Sequence, residues 1–220
     1  MPSRNPRPEA QEFDDLARFF AVAGQLKSIP RTGWLDRGLS PCDAESVADH
    51  SWRTALLAWV TAISAPELGL DANRVLQLAL VHDLAEAMMG DDPPYDREAL
   101  AHLADAERAE LFRRRIERPD HHQATKRDAE DRVMAQMLAL LPTGARSAMT
   151  SLWEELRARE TPEARFVKEA DRVETYMQSR EYRQVHPEIE VGSFAAEIAA
   201  TLTSPPMVRL RDAITDTTES

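Results

Sequence analysis

The sequence predicts a single all-α domain. Three observations carry that prediction. Gly is scarce, 7 of 220 residues, while the helix formers Ala, Leu, Glu and Arg recur throughout. Apolar residues return at three- and four-residue intervals in one segment after another. No stretch alternates apolar with polar residues as a half-buried strand does. With 43% hydrophobic residues the chain can bury a substantial core. Helix is therefore expected for more than about 60% of it.

The elements follow in order. Residues 1–10 read as a disordered tail, rich in Pro, and 11–220 as one domain. Residues 11–27 carry Phe13, Leu16, Phe19, Phe20 and Ala23 at helical spacing. "SIPRTGWLDRGLSPCDAES" holds two Pro and two Gly and reads as a loop. Residues 45–65 form a long helix with Val47, Trp52, Leu56, Leu57 and Val60 apolar. Asp71 is an N-cap for a helix over 72–89, which Pro93 and Pro94 prevent from continuing. A charged helix spans about 96–117, with Pro119 ending it and "DHHQ" as a polar connector. Helices resume over 124–141 and 145–159, the latter turning Leu152, Trp153 and Leu156 inward. Thr161-Pro162-Glu163 starts a helix to about 184, with Phe166, Val167, Ala170, Val173, Tyr176 and Met177 on one side. A last helix lies near 205–215.

Composition excludes several classes of partner. A net charge of −11 argues against a nucleic-acid polymer, though not against a small basic pocket for one phosphate. No apolar run approaches the roughly 18 residues of a membrane span, and the N-terminus lacks the apolar core of a signal peptide. The single Cys42 rules out an internal disulfide and a cysteine zinc cluster and suits a reducing cytoplasm.

"LALVHDLAEAMMGDDPP" sets His82, Asp83 and Glu86 in an apolar run, where uncompensated polarity is costly. His82 and Glu86 lie four apart and Asp83 and Glu86 three apart, so the three crowd one side of a helix. One helix cannot complete a coordination sphere. His50, in "ESVADHSW", and Asp171, at an inward position of "FVKEADRVETY", are the candidates to complete it. Two imidazoles and two carboxylates suit a divalent transition metal with positions left for water and substrate. Singly, each has a bland reading: a His-Asp pair is usually incidental, an inward Asp is often a cap, and a lone Glu is usually solvated. Four such residues in separate apolar segments favour the metal.

The order His50, His82-Asp83, Asp171 resembles the H…HD…D signature of the HD-domain metal-dependent phosphohydrolases. The segments "LKSIPRTGW", "ESVADHSWR", "LALVHDLAEAMMGD", "SLWEEL" and "EARFVKEADRVETYMQSREY" are similar to the HD-domain 5′-deoxynucleotidase group, across residues 13–100 and 125–185. The resemblance implies a helical bundle around a buried metal site, usually as a homodimer. It implies removal of phosphate from (deoxy)nucleoside 5′-monophosphates with one divalent ion: Mn, Co, Fe, Mg or Zn. His50, His82, Asp83 and Asp171 would be the ligands and Glu86 the general acid/base. Asp91 would sit at the sugar-phosphate, and Arg31 would grip the phosphate with its bidentate fork. Trp34 would shape the sugar pocket. Without the resemblance, Arg31 reads as a surface charge and Trp34 as core.

The stretch from about 96 to 125 reads as an insertion, and it carries His102, His121 and His122 at near-even spacing after His82. Some HD proteins hold two metals through two extra histidines, among them diiron oxygenases and phosphodiesterases. A dinuclear site is one alternative, and a lid or altered substrate wall is another. A specialised nucleoside pathway and a non-catalytic nucleotide sensor are also open, although Glu86 argues against the sensor.

Overall fold

The structure, a computed structural model, describes residues 9–219. The helices are α1 (Glu9–Ala23), α2 (Thr32–Leu35), α3 (Val47–Ser64), α4 (Ala72–Val81), α5 (Glu86–Met89), α6 (Arg97–Ala101), α7 (Asp105–Arg113), α8 (Asp120–Leu138), α9 (Thr143–Ala158), α10 (Pro162–Val185), α11 (Gly192–Thr201) and α12 (Pro205–Glu219). Short 3₁₀ turns cover Gly24–Ser28 and Pro66–Leu68. Helix accounts for 74% of the chain. Among the described residues there is no strand, only an isolated bridge between Pro30 and Ser46. The expected tail falls mostly outside the described residues, and its last two, Glu9 and Ala10, belong to α1.

α10 is the central post, packed against α3, α4, α11 and α12. Its start is as the sequence predicts: Pro162 opens it and the Thr161 hydroxyl accepts the Ala164 N–H at 3.2 Å. The main core gathers Val75, Leu78, Met134, Met137, Val167 and Val173, all fully buried. α3 begins with a reciprocal cap between Ser46 and Asp49. Its inner face is Val47, Ala55, Ala58 and Ala62, small enough to let α3 lie close on α4 and α10. Trp52, Leu56 and Val60, expected among its apolar residues, face outward. A smaller cluster of Trp34, Leu39, Ile189 and Val191 closes one end.

Several elements differ from the sequence reading, beginning with α2, a short helix inside the stretch read as a loop. The helix expected over 72–89 breaks after Val81, and residues 84–88 tighten into i→i+3 bonds such as Glu86 N–H to Asp83 O at 3.0 Å. The Ala79 carbonyl, which a regular helix offers to Asp83, accepts the His82 ring at 2.7 Å. The helix expected over 96–117 is two, α6 and α7. The Glu107 carboxylate reaches back to the Ala104 N–H at 2.9 Å and starts a new helix there. "DHHQ" is the first turn of α8, because Pro119 opens a helix rather than closing one. α11 was not foreseen. Its Gly192 lies so close to α7 that a Cβ would meet the Arg113 carbonyl at 3.1 Å.

Candidate metal centre and substrate cavity

The break after α4 aims His82 and Asp83 inward, where one unbroken helix would spread them by roughly 100°. α3 brings His50 from its first turn, and α10 brings Asp171 from its middle. The four side chains converge. His50 Nε2 lies 3.4 Å from His82 Nε2, 3.6 Å from Asp83 Oδ2 and 3.2 Å from Asp171 Oδ1, and His82 Nε2 lies 3.2 Å from Asp83 Oδ2.

The far side of each ring fixes what faces the centre. The Ala79 carbonyl can only accept, so His82 Nδ1 carries the proton. His50 Nδ1 is held by the buried carboxylate of Glu174. With both rings neutral, that leaves the two Nε2 lone pairs pointed at one another, with two carboxylates beside them. Such a set is self-repelling unless a cation sits among it, which is the chemistry of a divalent metal site with its orienting partners. His50, His82 and Asp83 could hold the ion, and Asp171 is close enough to join them. Burial and the Arg31 charge push the His50 pKa down, but hydrogen bonds to Asp171 and Glu174 override them and hold it up at about 10. Burial alone would raise Asp83, yet His82 and His50 hold it well below the usual carboxylate range; Lys168 and His50 do the same for Asp171.

Glu174 was missed from sequence. It lies three residues after Asp171 on the same helix face, a spacing that could have found it. Its second oxygen accepts from Arg53 Nε at 2.8 Å, and Arg53 continues to Gln178 and Glu181. Glu45, His50 and Glu174 also cluster, but Trp34 Nε1 occupies Glu45 at 2.9 Å and Arg53 occupies Glu174.

A cavity of about 590 Å³ opens from the centre. Glu86 lines it, buried, with Oε2 lacking any hydrogen-bond partner and Lys126 Nζ 3.9 Å from Oε1. Burial, Asp83 and Asp91 push the Glu86 pKa well above the usual carboxylate range. Arg31 reaches in from the α2 cap, 3.5 Å from Asp83 and 3.3 Å from the Thr175 hydroxyl. Asp91 is anchored by Thr32, whose hydroxyl donates to the Asp91 carbonyl at 2.8 Å and whose N–H donates to its carboxylate. Trp34, 1% exposed, packs on Tyr182 and Phe194 and forms part of the cavity wall. The 96–125 stretch lines part of the cavity through Arg115, Arg118 and Gln123; Arg118 binds Asp92 and the Pro93 carbonyl, and the Arg37 guanidinium lies over the Phe112 and Phe194 rings at 4.0 and 4.3 Å. His102 is exposed at the end of α6, and among the described residues neither it nor His122 joins a donor cluster. The His121 side chain lies outside the described residues.

The HD-domain family model matches residues 23–204 of this chain. The chain belongs to the HD-domain family. A 5′-deoxynucleotidase HDDC2 from Danio rerio is 34% identical over 173 residues, 79% of this chain and 72% of the relative. Its Homo sapiens counterpart is 33% identical over 196 residues, 89% of this chain and 82% of the relative. Among solved structures, a predicted metal-dependent phosphohydrolase from Magnetospirillum magnetotacticum superposes with a TM-score of 0.62 at 25% identity, covering 97% of this chain and 95% of that one. A conserved hypothetical protein from Pyrococcus furiosus superposes at 0.65 with 26% identity, over 91% and 99%. The family match spans the whole of this HD domain's donor set, from His50 on α3 to Asp171 on α10.

Proposed function

We propose that this HD domain hydrolyses 2′-deoxynucleoside 5′-monophosphates to nucleoside and phosphate, with one divalent ion held by His50, His82, Asp83 and Asp171. The observation that carries the reading is the convergence of these four donors beside Glu86, whose unpartnered oxygen lines the same cavity. A divalent cation there supplies Lewis acidity toward a phosphoryl oxygen and toward water. The chain does the rest. Arg31, on the cavity wall, clamps the phosphate oxygens through a charge-assisted fork. Glu86 takes a proton from the attacking water and returns it to the leaving 5′-oxygen as the P–O5′ bond breaks. A raised pKa suits a group that must hold that proton in mid-reaction. Asp91 keeps one oxygen free of Thr32 for a sugar hydroxyl, and Trp34 backs the wall behind it.

The same reading places two copies in the working particle. Trp52, Leu56, Trp59, Val60 and Ile63 form an exposed apolar stripe along α3, the kind of surface that marks an interface. Among the described residues no helix is long and apolar enough to cross a membrane. The exposed thiol of Cys42 supports a reducing compartment such as the cytoplasm.

Phosphate release from a panel of deoxy- and ribonucleoside 5′-monophosphates, with Mn²⁺, Co²⁺, Mg²⁺ and Fe²⁺ in turn, tests the activity. Elemental analysis of Asp83→Ala tests the ligands. A panel without turnover, or an Asp83→Ala chain with full metal content, overturns the corresponding half of the reading.

A further inference from the structure

The cavity is long as well as deep. Its floor is one face of α10, from Ala164 through Lys168 and Asp171 to Thr175. Those eleven residues of rise span about 16 Å. Arg31 reaches the Thr175 end. A phosphate held between Asp171 and Arg31 leaves about 10 Å of floor running toward Ala164. That length accommodates a sugar and base, and it ends at the junction of α9 and α10, where Arg159 lines the cavity.

Arg159 differs from the other cations there. Its neighbours are neutralised: Arg157 by Glu130 at 2.7 Å, Lys168 by Asp171 at 2.5 Å and Arg172 by Glu197 at 3.0 Å. The Arg159 guanidinium has no ion pair or hydrogen bond among the described residues. Among the strongest charges acting on it are those of Arg127, Arg172 and Arg157, with Asp171 opposing them. After burial, the Arg127 and Arg172 charges press hardest and hold its pKa below the ordinary guanidinium range. Exposed at the edge of the cavity, this unpaired cation is a seat for an anion.

The backbone makes the same point independently. Arg159 has φ 53° and ψ 31°, and among the described residues it alone of the non-glycines has positive φ. This is the helix end where Gly is the ordinary choice, and a side chain costs about 1 kcal/mol. Nothing in the cap needs a guanidinium. The Arg159 N–H donates to the Glu155 carbonyl at 3.0 Å, and its carbonyl accepts from Arg165 at 3.4 Å. Gly would supply both groups without the strain. Strained positions that keep a large side chain are characteristic of functional sites.

We propose that Arg159 is a second anion subsite in the catalytic cavity, for a nucleotide bearing a further phosphate or carboxylate away from the ester that is cleaved. The inference rests on the nucleotidase reading and narrows its substrate. The second anion is either a phosphate on the sugar or a carboxylate on the base, each set apart from the ester that is cleaved.

The test is calorimetric and does not depend on turnover. The metal-loaded full chain carrying Glu86→Gln is titrated with dAMP against deoxyadenosine 3′,5′-bisphosphate, and with UMP against orotidine 5′-monophosphate. One charge-assisted contact is expected to tighten Kd about tenfold for the ligand with the second anion. The pair that shows the gain identifies whether sugar or base carries it. Adding Arg159→Gln is expected to erase the gain, and Arg159→Lys to keep most of it. Arg159→Gly is expected to erase the gain while raising Tm, because relief of the cap strain does not depend on the anion. Equal affinity within both pairs, or a gain that survives Arg159→Gln, overturns the subsite. Turnover of dAMP by the unmodified chain is measured beside it. Its absence removes the nucleotidase reading, while the calorimetric comparison still decides Arg159.

Discussion

Glu174 offers the sharpest test of how the site is built, because it touches the centre only through His50. Both side chains are 0% exposed, so neither has water as a substitute partner. The carboxylate is shared between His50 Nδ1–H and Arg53 Nε–H. Glu174→Gln keeps one acceptor and gains two donors. If the amide oxygen stays on His50, its NH₂ faces Arg53, and Arg53 can retreat because Gln178 at 2.6 Å and Glu181 at 2.8 Å still hold it. The tautomer is then kept and only the negative charge behind the ring is lost. Removing such orienting partners costs about 10–100-fold in metal affinity. Glu174→Gln belongs near tenfold, about 1.4 kcal/mol, since the hydrogen bond survives. Glu174→Leu belongs at or beyond 100-fold, since Nδ1–H is left buried without an acceptor and the ring is free to change tautomer. Metal Kd is measured by competition with a chelator, with kcat at saturating metal as the companion reading. Both variants should lose affinity far more than saturated kcat. Equal metal affinity in wild type and Glu174→Leu would refute the claim that this carboxylate sets the His50 lone pair.

Glu86→Gln should lower kcat by about 10²–10⁴ with metal content intact; unchanged kcat moves the base elsewhere. Arg31→Ala should raise KM for the nucleotide by more than it lowers kcat, as steady-state kinetics at saturating metal will show. Stripped of metal, the chain should lose stability as pH rises. His50 titrates near 10 when folded against about 6.5 when unfolded, so its contribution is complete below about 6.5 and is lost on the way to 10. Urea melts at pH 6.5, 8 and 9.5 test this, and a flat or rising trend contradicts it. Trp52→Glu, on the exposed α3 stripe, should convert a dimer to a monomer in sedimentation without loss of helix; a wild type that is already monomeric removes the dimer.

Much of this was legible in the sequence because the signals are local. Phe166, Val167, Ala170 and Val173 repeat at helical spacing, and α10 forms there with those residues buried. His50, His82, Asp83 and Asp171 stand out because each interrupts an apolar run, and they do converge. What was not legible depends on contacts between distant segments. Trp52 and Leu56 carry the same periodic signal as core residues, but the alanines on the other face of α3 are the ones that pack. The break after Val81 needs the His82 ring to reach the Ala79 carbonyl, and composition does not encode that. α11 is short and begins with a glycine, whose purpose appears only once α7 is laid across it. Glu174 reads as one charge among many until Arg53 is seen behind it.

The stacking of Arg37 between Phe112 and Phe194 constrains how this chain can change over generations. Phe112 belongs to the 96–125 stretch, whereas Arg37 and Phe194 lie on α2's flank and α11, so one guanidinium joins that stretch to the rest of the bundle. Arg37 also donates to the Gly33 and Glu190 carbonyls and to the Ser193 hydroxyl, and burial lowers its pKa to about 10. Removing the 96–125 stretch would strip one aromatic face from a cation that burial has already desolvated. Replacing Arg37 alone would leave three acceptors without their donor. Neither step is neutral by itself, so the two should be gained and lost together. A survey of relatives should find an aromatic at 112 accompanied by Arg at 37.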